Sequence, residues 1–243
     1  MFSSLSVNAK FEDDSLLISK DNPIGELSVY NVLNTPDLYL PLRCTLFGHG
    51  FEDHLITEDK YDNWKFIKCD VNQYRDIAEV MLSYQFDYVF HLAAMVGGRE
   101  VIENNPLTVA EDLSIDSHFW KWCTQSNPEK VISFSSSACY PVELQGYKKN
   151  RLLKEEDISF NKNIGMPDMT YGWAKLTCEY LGKIAFEKYG IKSVCYRPFS
   201  GYGEDQDLNY PFPSICKRIL SNVNNKLIHV WGSGHQSRDF IYI

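Results

Sequence analysis

From about residue 64 the chain alternates short apolar runs with longer stretches of helical period. "WKFIKC" (64–69) reads as a short strand, and "NQYRDIAEVMLSY" after it as a helix. "YVFHLAA" (88–94) is a continuous apolar run, the mark of a strand buried on both faces. "NPLTVAEDLSIDSHFWKWCTQS" carries Pro106 near its start and apolar Val109, Leu113, Trp120 and Cys123, which predicts one long helix. "KVISFSSS" is the next strand. Residues 171–189 form another helix, with Ala174, Cys178, Leu181 and Ala185 on one stripe and Gly190 as its C-cap. "KSVCYR" is a strand again. This order predicts an α/β fold: a Rossmann-like, doubly wound parallel sheet that binds ligands at the carboxyl ends of its strands.

Two stretches break the alternation. Residues 141–170 are polar, carry Gly146, Gly165 and Pro167, and read as a long loop at the functional end of the sheet. Residues 1–46 show no clean period and stand as an uncertain N-terminal segment. Composition then narrows the class. With 243 residues, 44% hydrophobic and 23% charged, the chain is long enough for one large domain or two small ones, and reads as soluble. It has no apolar run near 18 residues for a membrane span, and its start lacks the basic and apolar regions of a secretory signal. A net charge of −8 argues against a nucleic-acid surface, so an anionic ligand would need local Arg residues or helix N-termini. Seven cysteines without a CxxC pair suit a reducing cytoplasm and argue against a disulfide framework or a zinc site.

The candidate chemistry lies in "MTYGWAKLTCEY". Tyr171 and Lys175 are one helical turn apart and share a face. That spacing decides nothing alone, because Tyr61 and Lys65 repeat it in a polar turn. Upstream of Tyr171, however, Ser135, Ser136 and Ser137 end a buried strand, where a hydroxyl can bond a substrate oxygen while a Tyr exchanges the proton. The plainer alternative is that these serines cap the sheet. A Tyr titrates near 10, and a neighbouring ammonium lowers that value. Gly172 and Ala174 are small enough to leave room for a flat cofactor. His91 reads as a satisfied core histidine and Cys139 as a packing residue.

Taken in order, "SSSACYP", "YGWAK", "RPFSGYG" and "WGSGHQSRDFIYI" resemble the extended short-chain dehydrogenase/reductase family over roughly residues 64–243. Within it they resemble NAD-dependent nucleotide-sugar epimerases, dehydratases and 4-ketoreductases. "HLAAMVGG" looks most like the GDP-L-fucose synthases and GDP-mannose 3,5-epimerases. The resemblance implies Ser136, Tyr171 and Lys175 as the catalytic set, Lys175 also holding the nicotinamide ribose. It implies Gly48, Gly50, Asp70, Val71, Ala93, Ala94 and Pro198 along NAD or NADP, with Tyr171 and Lys175. It places Ser200, Arg218 and Arg238 on a nucleotide-sugar, the two Arg holding its diphosphate. Asp70 would equally serve as a strand-end turn residue; the alternative for Arg238 is a surface pair with Asp239 or Glu204.

The sequence also departs from that family. The glycine-rich loop "LFGHGFEDHL" lacks its third Gly and carries Glu52 and Asp53, and the chain ends within what reads as a strand. The expectation is therefore an uncertain segment at 1–46, a cofactor domain at 47–200, and the truncated start of a substrate-binding region at 201–243. The function expected is a cytoplasmic, homodimeric epimerase or 4-ketoreductase acting at sugar C4. The alternative is a catalytically inactive fragment or fold remnant that binds a nucleotide-sugar weakly or not at all. The resemblance implies dimerisation through helices 107–126 and 171–189, and Phe119, Trp120 and Trp122 spread too far around the first for all to face one core stripe, which suggests an exposed aromatic there. A 3,5-epimerase needs further proton carriers, and those positions hold Ala138 and Pro211.

Overall fold

The computed structural model describes residues 4–8, 43–48, 64–95, 99–145, 151–204, 206, 208, 210–222 and 237–242. One sheet is built from β1 (Ser4–Asn8), β2 (Arg43–Gly48), β3 (Trp64–Lys68), β4 (Tyr88–His91), β5 (Lys130–Phe134) and β6 (Ser193–Tyr196). Its order is β3-β2-β1-β4-β5-β6. β2 and β3 pair in parallel, as do β4, β5 and β6, whereas β1 runs antiparallel to both β2 and β4. Five strands therefore share one direction and end at one edge. The Rossmann-like α/β architecture holds, with one difference from an all-parallel sheet: β1 comes from the segment without a readable period.

The first helices are α1 (Tyr74–Asp76, continuing as a π turn over Ile77–Met81), α2 (Arg99–Asn104), α3 (Pro106–Val109), α4 (Asp112–Ser126) and α5 (Met169–Tyr189). The single helix expected over 107–126 is two helices. Pro106 starts α3, and the turn at Ala110–Glu111 rephases the chain so that Asp112 points inward while Leu113 is 41% exposed. Gly190 caps α5 at φ 75°; its N–H donates to Phe186 O, and the Ile191 N–H donates to Ala185 O.

The core lies where α4 and α5 pack beside β4 and β5. Val89, Val131, Trp122 and Cys123 are fully buried. Phe119, Trp120 and Trp122 are all buried as well, which overturns the expectation of an exposed aromatic on this helix. The reason is that α4 is covered on more than one side. Phe119 stacks on His91 of β4 with centroids 3.8 Å apart, Trp122 meets Phe86, and Trp120 packs over Gly182 of α5. Burying one large apolar side chain contributes about 1.5–3 kcal/mol, so these rings fix the α4–α5 pair firmly.

The chain divides into two compact units, the sheet and its helices as far as Arg197, and the residues from Pro198 onward. The second holds β7 (Ser200–Tyr202), α6 (Pro211–Ser221) and β8 (Phe240–Tyr242), with β7 and β8 parallel. Tyr202, Phe212, Phe240 and Tyr242 gather around that pair. Among the described residues no helix is long and apolar enough to cross a membrane.

Candidate active site

The site begins at the end of β5. The Ser136 Oγ accepts from the Ala138 N–H at 3.2 Å and caps the short turn Ser137–Cys139. The carbonyl of Ala138 then accepts from the Asp168 N–H at 2.9 Å, tying this turn to the start of α5. Gly172 completes the contact: a Cβ there would lie 2.4 Å from the Ala138 oxygen. The smallness of Gly172, and of fully buried Ala174, thus serves packing within the protein, which corrects their expected role as room for a cofactor. Met169, two residues before Tyr171, has φ 55°, a left-handed conformation that costs roughly 1–2 kcal/mol without glycine. Beside it Asp168 pairs with Arg99 Nη1 at 2.7 Å.

This geometry brings Ser136, Tyr171 and Lys175 together. Ser136 is near enough to act on the Tyr171 phenol and lower it, and both residues are half-buried. Lys175 is buried, its Nζ 5.8 Å from the centre of the Tyr171 ring. Burial pushes the Tyr171 phenol above its usual value, and Lys175 and Ser136 offset only part of that shift. The net lowering expected from the ammonium is therefore corrected: the phenol keeps its proton at neutral pH and meets a ligand as an acid. Burial is the largest influence on Lys175 and lowers it, but Asp116, Tyr171 and Asp112 together carry the net shift upward. The ammonium is firmly charged.

Three groups that sequence reasoning missed surround this set. Asp112 is 1% exposed; its Oδ1 accepts from the Met95 N–H, and its Oδ2 lies 4.0 Å from Lys175 Nζ. Asp116, one turn on, pairs with His91 Nε2 at 2.7 Å. Arg197 forks onto Glu179 of α5 at 2.8 and 2.6 Å, lies over the Tyr140 ring and donates to the Glu155 carbonyl, clamping the 141–170 loop to the helix. A signal for the acids was present: Asp112 and Asp116 continue the same stripe as Phe119, Trp120 and Cys123. Cys139 is fully buried with its Sγ 2.9 Å from Ser135 Oγ, and burial pushes its thiol up to about 12.

The remaining expected residues are placed as follows. Gly48 ends β2, Asp70 and Val71 follow β3, and Ala93 and Ala94 follow β4, all at the edge where Ser136 follows β5. Asp70 Oδ1 accepts from the Asn72 N–H at 3.0 Å and closes a turn. The antiparallel β1 stands between β2, which Gly48 ends, and β4. Gly50 lies outside the described residues. Pro198 and Ser200 begin the second unit; Arg218 is in the last turn of α6 and Arg238 is exposed just before β8.

Comparison with known proteins shows the family. Residues 44–243 match the NAD dependent epimerase/dehydratase family, and the chain belongs to that family. It is similar to the UDP-N-acetylglucosamine 4-epimerase of Methanobrevibacter ruminantium, at 28% identity and TM-score 0.62, covering 82% of this chain and 60% of that one. The UDP-glucuronic acid 4-epimerase of Bacillus cereus, solved with UDP-glucuronic acid and NAD, matches at 25% identity and TM-score 0.60, over 76% and 53%. The GDP-L-fucose synthase of Dictyostelium discoideum is 26% identical over 81% of this chain and 63% of its own. The chain spans between about half and two thirds of the length of the relatives it matches.

Proposed function

We propose that the chain is the reaction-bearing part of a NAD(P)-dependent nucleotide-sugar epimerase or 4-ketoreductase that works at sugar C4. The observation that carries this reading is the Ser136–Tyr171–Lys175 set: two neighbouring hydroxyls beside a buried ammonium. The nicotinamide end of the cofactor fits these residues. Tyr171 and Lys175 would hold its ribose, and Ala93 and Ala94 bring no side chain past Cβ at the neighbouring strand end. When bound, the nicotinamide supplies the hydride chemistry. Ser136 would donate to the sugar 4-oxygen, and Tyr171 would give that oxygen its proton in reduction and take it back in oxidation. Lys175 stabilises the phenolate that forms. Ser200, Arg218 and Arg238 would hold the nucleotide-sugar, the two guanidiniums against its diphosphate.

Chemistry confined to C4 is supported by what flanks the set. Ala138 and Pro211 carry no transferable proton, and the Cys139 thiol is buried and raised to about 12. Incubation in D₂O with NAD and a panel of UDP- and GDP-sugars, followed by proton NMR, tests this. The expected product is the C4 epimer, or a C4-reduced sugar from a 4-keto substrate with NADH, without deuterium at C3 or C5. Enzyme-dependent deuterium at C3 or C5 overturns it. We also infer a homodimer seated on α5, where Trp173 and Tyr180 are exposed two turns apart on one face. Light scattering should give twice the chain mass. A cytoplasmic setting fits the six described cysteines, all free thiols.

A further inference from the structure

Helix α4 carries two acids where its pattern calls for core. Asp112 and Asp116 are 1% and 2% exposed, one turn apart on one face, amid Ile115, Phe119 and Trp122. Each has one carboxylate oxygen engaged, Asp112 with the Met95 N–H and Asp116 with His91, and each has its other oxygen buried without a hydrogen-bond partner. A buried carboxylate oxygen left in this state is costly unless a positive charge compensates it. The charge at hand is Lys175, whose Nζ stands 4.0 Å from the open oxygen of Asp112 and, on its other side, 5.8 Å from the Tyr171 ring centre.

We propose that Asp112 and Asp116 are positioning residues for the Tyr171–Lys175 pair: from one face of α4 they hold the Lys175 ammonium charged and in place behind the Tyr171 ring. The catalytic consequence rests on the proposed function, but the anchoring does not. A lysine buried among apolar side chains alone would tend to lose its proton and its hold on the phenol. The acids prevent that, and the link from Asp112 to the Met95 N–H ties the arrangement to the chain just beyond β4. The groups that act on Lys175 are Asp112 and Asp116 from α4 and Tyr171 and Cys178 from its own helix, with His91 of β4 reaching it through Asp116. Cys178 is neutral, its thiol raised well above the ordinary value by burial.

The test reads Lys175 directly in the whole chain, with no cofactor or sugar. Lysine labelled with carbon-13 at Cε is followed by NMR against pH, and the Lys175 signal is assigned with Lys175→Arg. In the Asp112→Asn/Asp116→Asn variant the Lys175 midpoint is expected to fall by more than about one pH unit, with each single variant in between. Equal midpoints in all four proteins overturn the proposal. Should the α4 variants fail to fold, the reciprocal measurement decides. Lys175→Met is expected to raise the Asp112 carboxyl midpoint, about 6 in the intact chain, and an unmoved midpoint overturns the proposal. A chain that shows these shifts but converts no nucleotide-sugar at C4 refutes only the proposed function. An active chain without them refutes only the positioning role.

Discussion

Helices α5 and α6 carry the two halves of the proposed reaction, and they differ sharply in how they are held. α5 buries Gly172, Ala174, Lys175, Leu176, Cys178, Glu179, Gly182 and Ala185, and it meets α4, the turn after β5 and the 141–170 loop. α6 buries none of its residues, and Ile215, Ile219 and Leu220 stand exposed along it. The groups proposed for proton transfer therefore sit on a helix fixed from several sides, within about one turn of a glycine that admits no Cβ. Of the groups proposed for substrate recognition, Arg218 sits on α6 and Arg238 just before β8, elements with no buried residue among those described. Proton transfer needs atoms placed to a fraction of an ångström, which dense packing supplies. Long guanidinium side chains tolerate a looser mount.

The contrast can be broken by truncating one apolar side chain in each unit. Trp122→Ala removes a fully buried ring and should cost about 3–5 kcal/mol in urea unfolding followed by circular dichroism. Leu220→Ala, at a residue 73% exposed, should change stability by no more than about 0.5 kcal/mol. Similar losses from the two would show that both units are held alike.

A second test sharpens the electrostatic side of α5's surroundings. Burial, the largest influence, raises the Asp112 carboxyl from 3.8 to about 6 in the folded chain against the pull of Lys175 and the Met95 N–H. The folded state thus binds this proton more tightly than the unfolded state does. The stability contributed by this group is complete below about pH 4 and is lost as pH rises through about 6, a total of about 3 kcal/mol. Over that window the intact chain should lose stability relative to Asp112→Asn. A pH-independent difference between the two would contradict the assignment.

A third, smaller effect probes the mount of Tyr171 itself. Gly172→Ala drives a methyl into the Ala138 carbonyl and should cost about 1–3 kcal/mol, because backbone on both sides must shift. The fully exposed C-cap serves as the control for a glycine kept for conformation instead. At Gly190 a Cβ meets nothing within 4 Å, but φ is 75°, so Gly190→Ala is disfavoured by strain and not by contact. A Gly172→Ala variant as stable as the intact chain in thermal unfolding would contradict the contact at 172.

What could be read from the chain, and what could not, follows the same division. The apolar runs at 88–91 and 130–134 and the stripe of α5 ending at Gly190 carry their period in local sequence, and the structure has strands and helix there. Ser136, Tyr171 and Lys175 were legible as a set because a strand end and a helical turn fix their approach. β1 was not, since five residues without flanking turn signals have no period, and only pairing with β2 and β4 makes "SLSVN" a strand. The acids of α4 escaped because Asp counts toward the solvent face in a pattern. Only a buried counter-charge contributed by another helix makes Asp112 and Asp116 interior residues. The same tertiary cover hides Phe119, Trp120 and Trp122, whose angular spread suggested an exposed ring. Tyr171's raised value was equally out of reach, since it depends on burial and not on the neighbour four residues away.

The central claim is that Tyr171 exchanges the proton of a sugar hydroxyl while the nicotinamide exchanges hydride. Its most direct test mixes the chain with NAD and each of a panel of UDP- and GDP-sugars, and with NADH and their 4-keto forms, and follows conversion at sugar C4 by proton NMR. The account predicts a rate that falls about 10²–10⁴-fold in Tyr171→Phe, with the circular dichroism spectrum unchanged because a single hydroxyl is lost. Equal rates in the two proteins, or no conversion at C4 by the intact chain with any sugar, would contradict it.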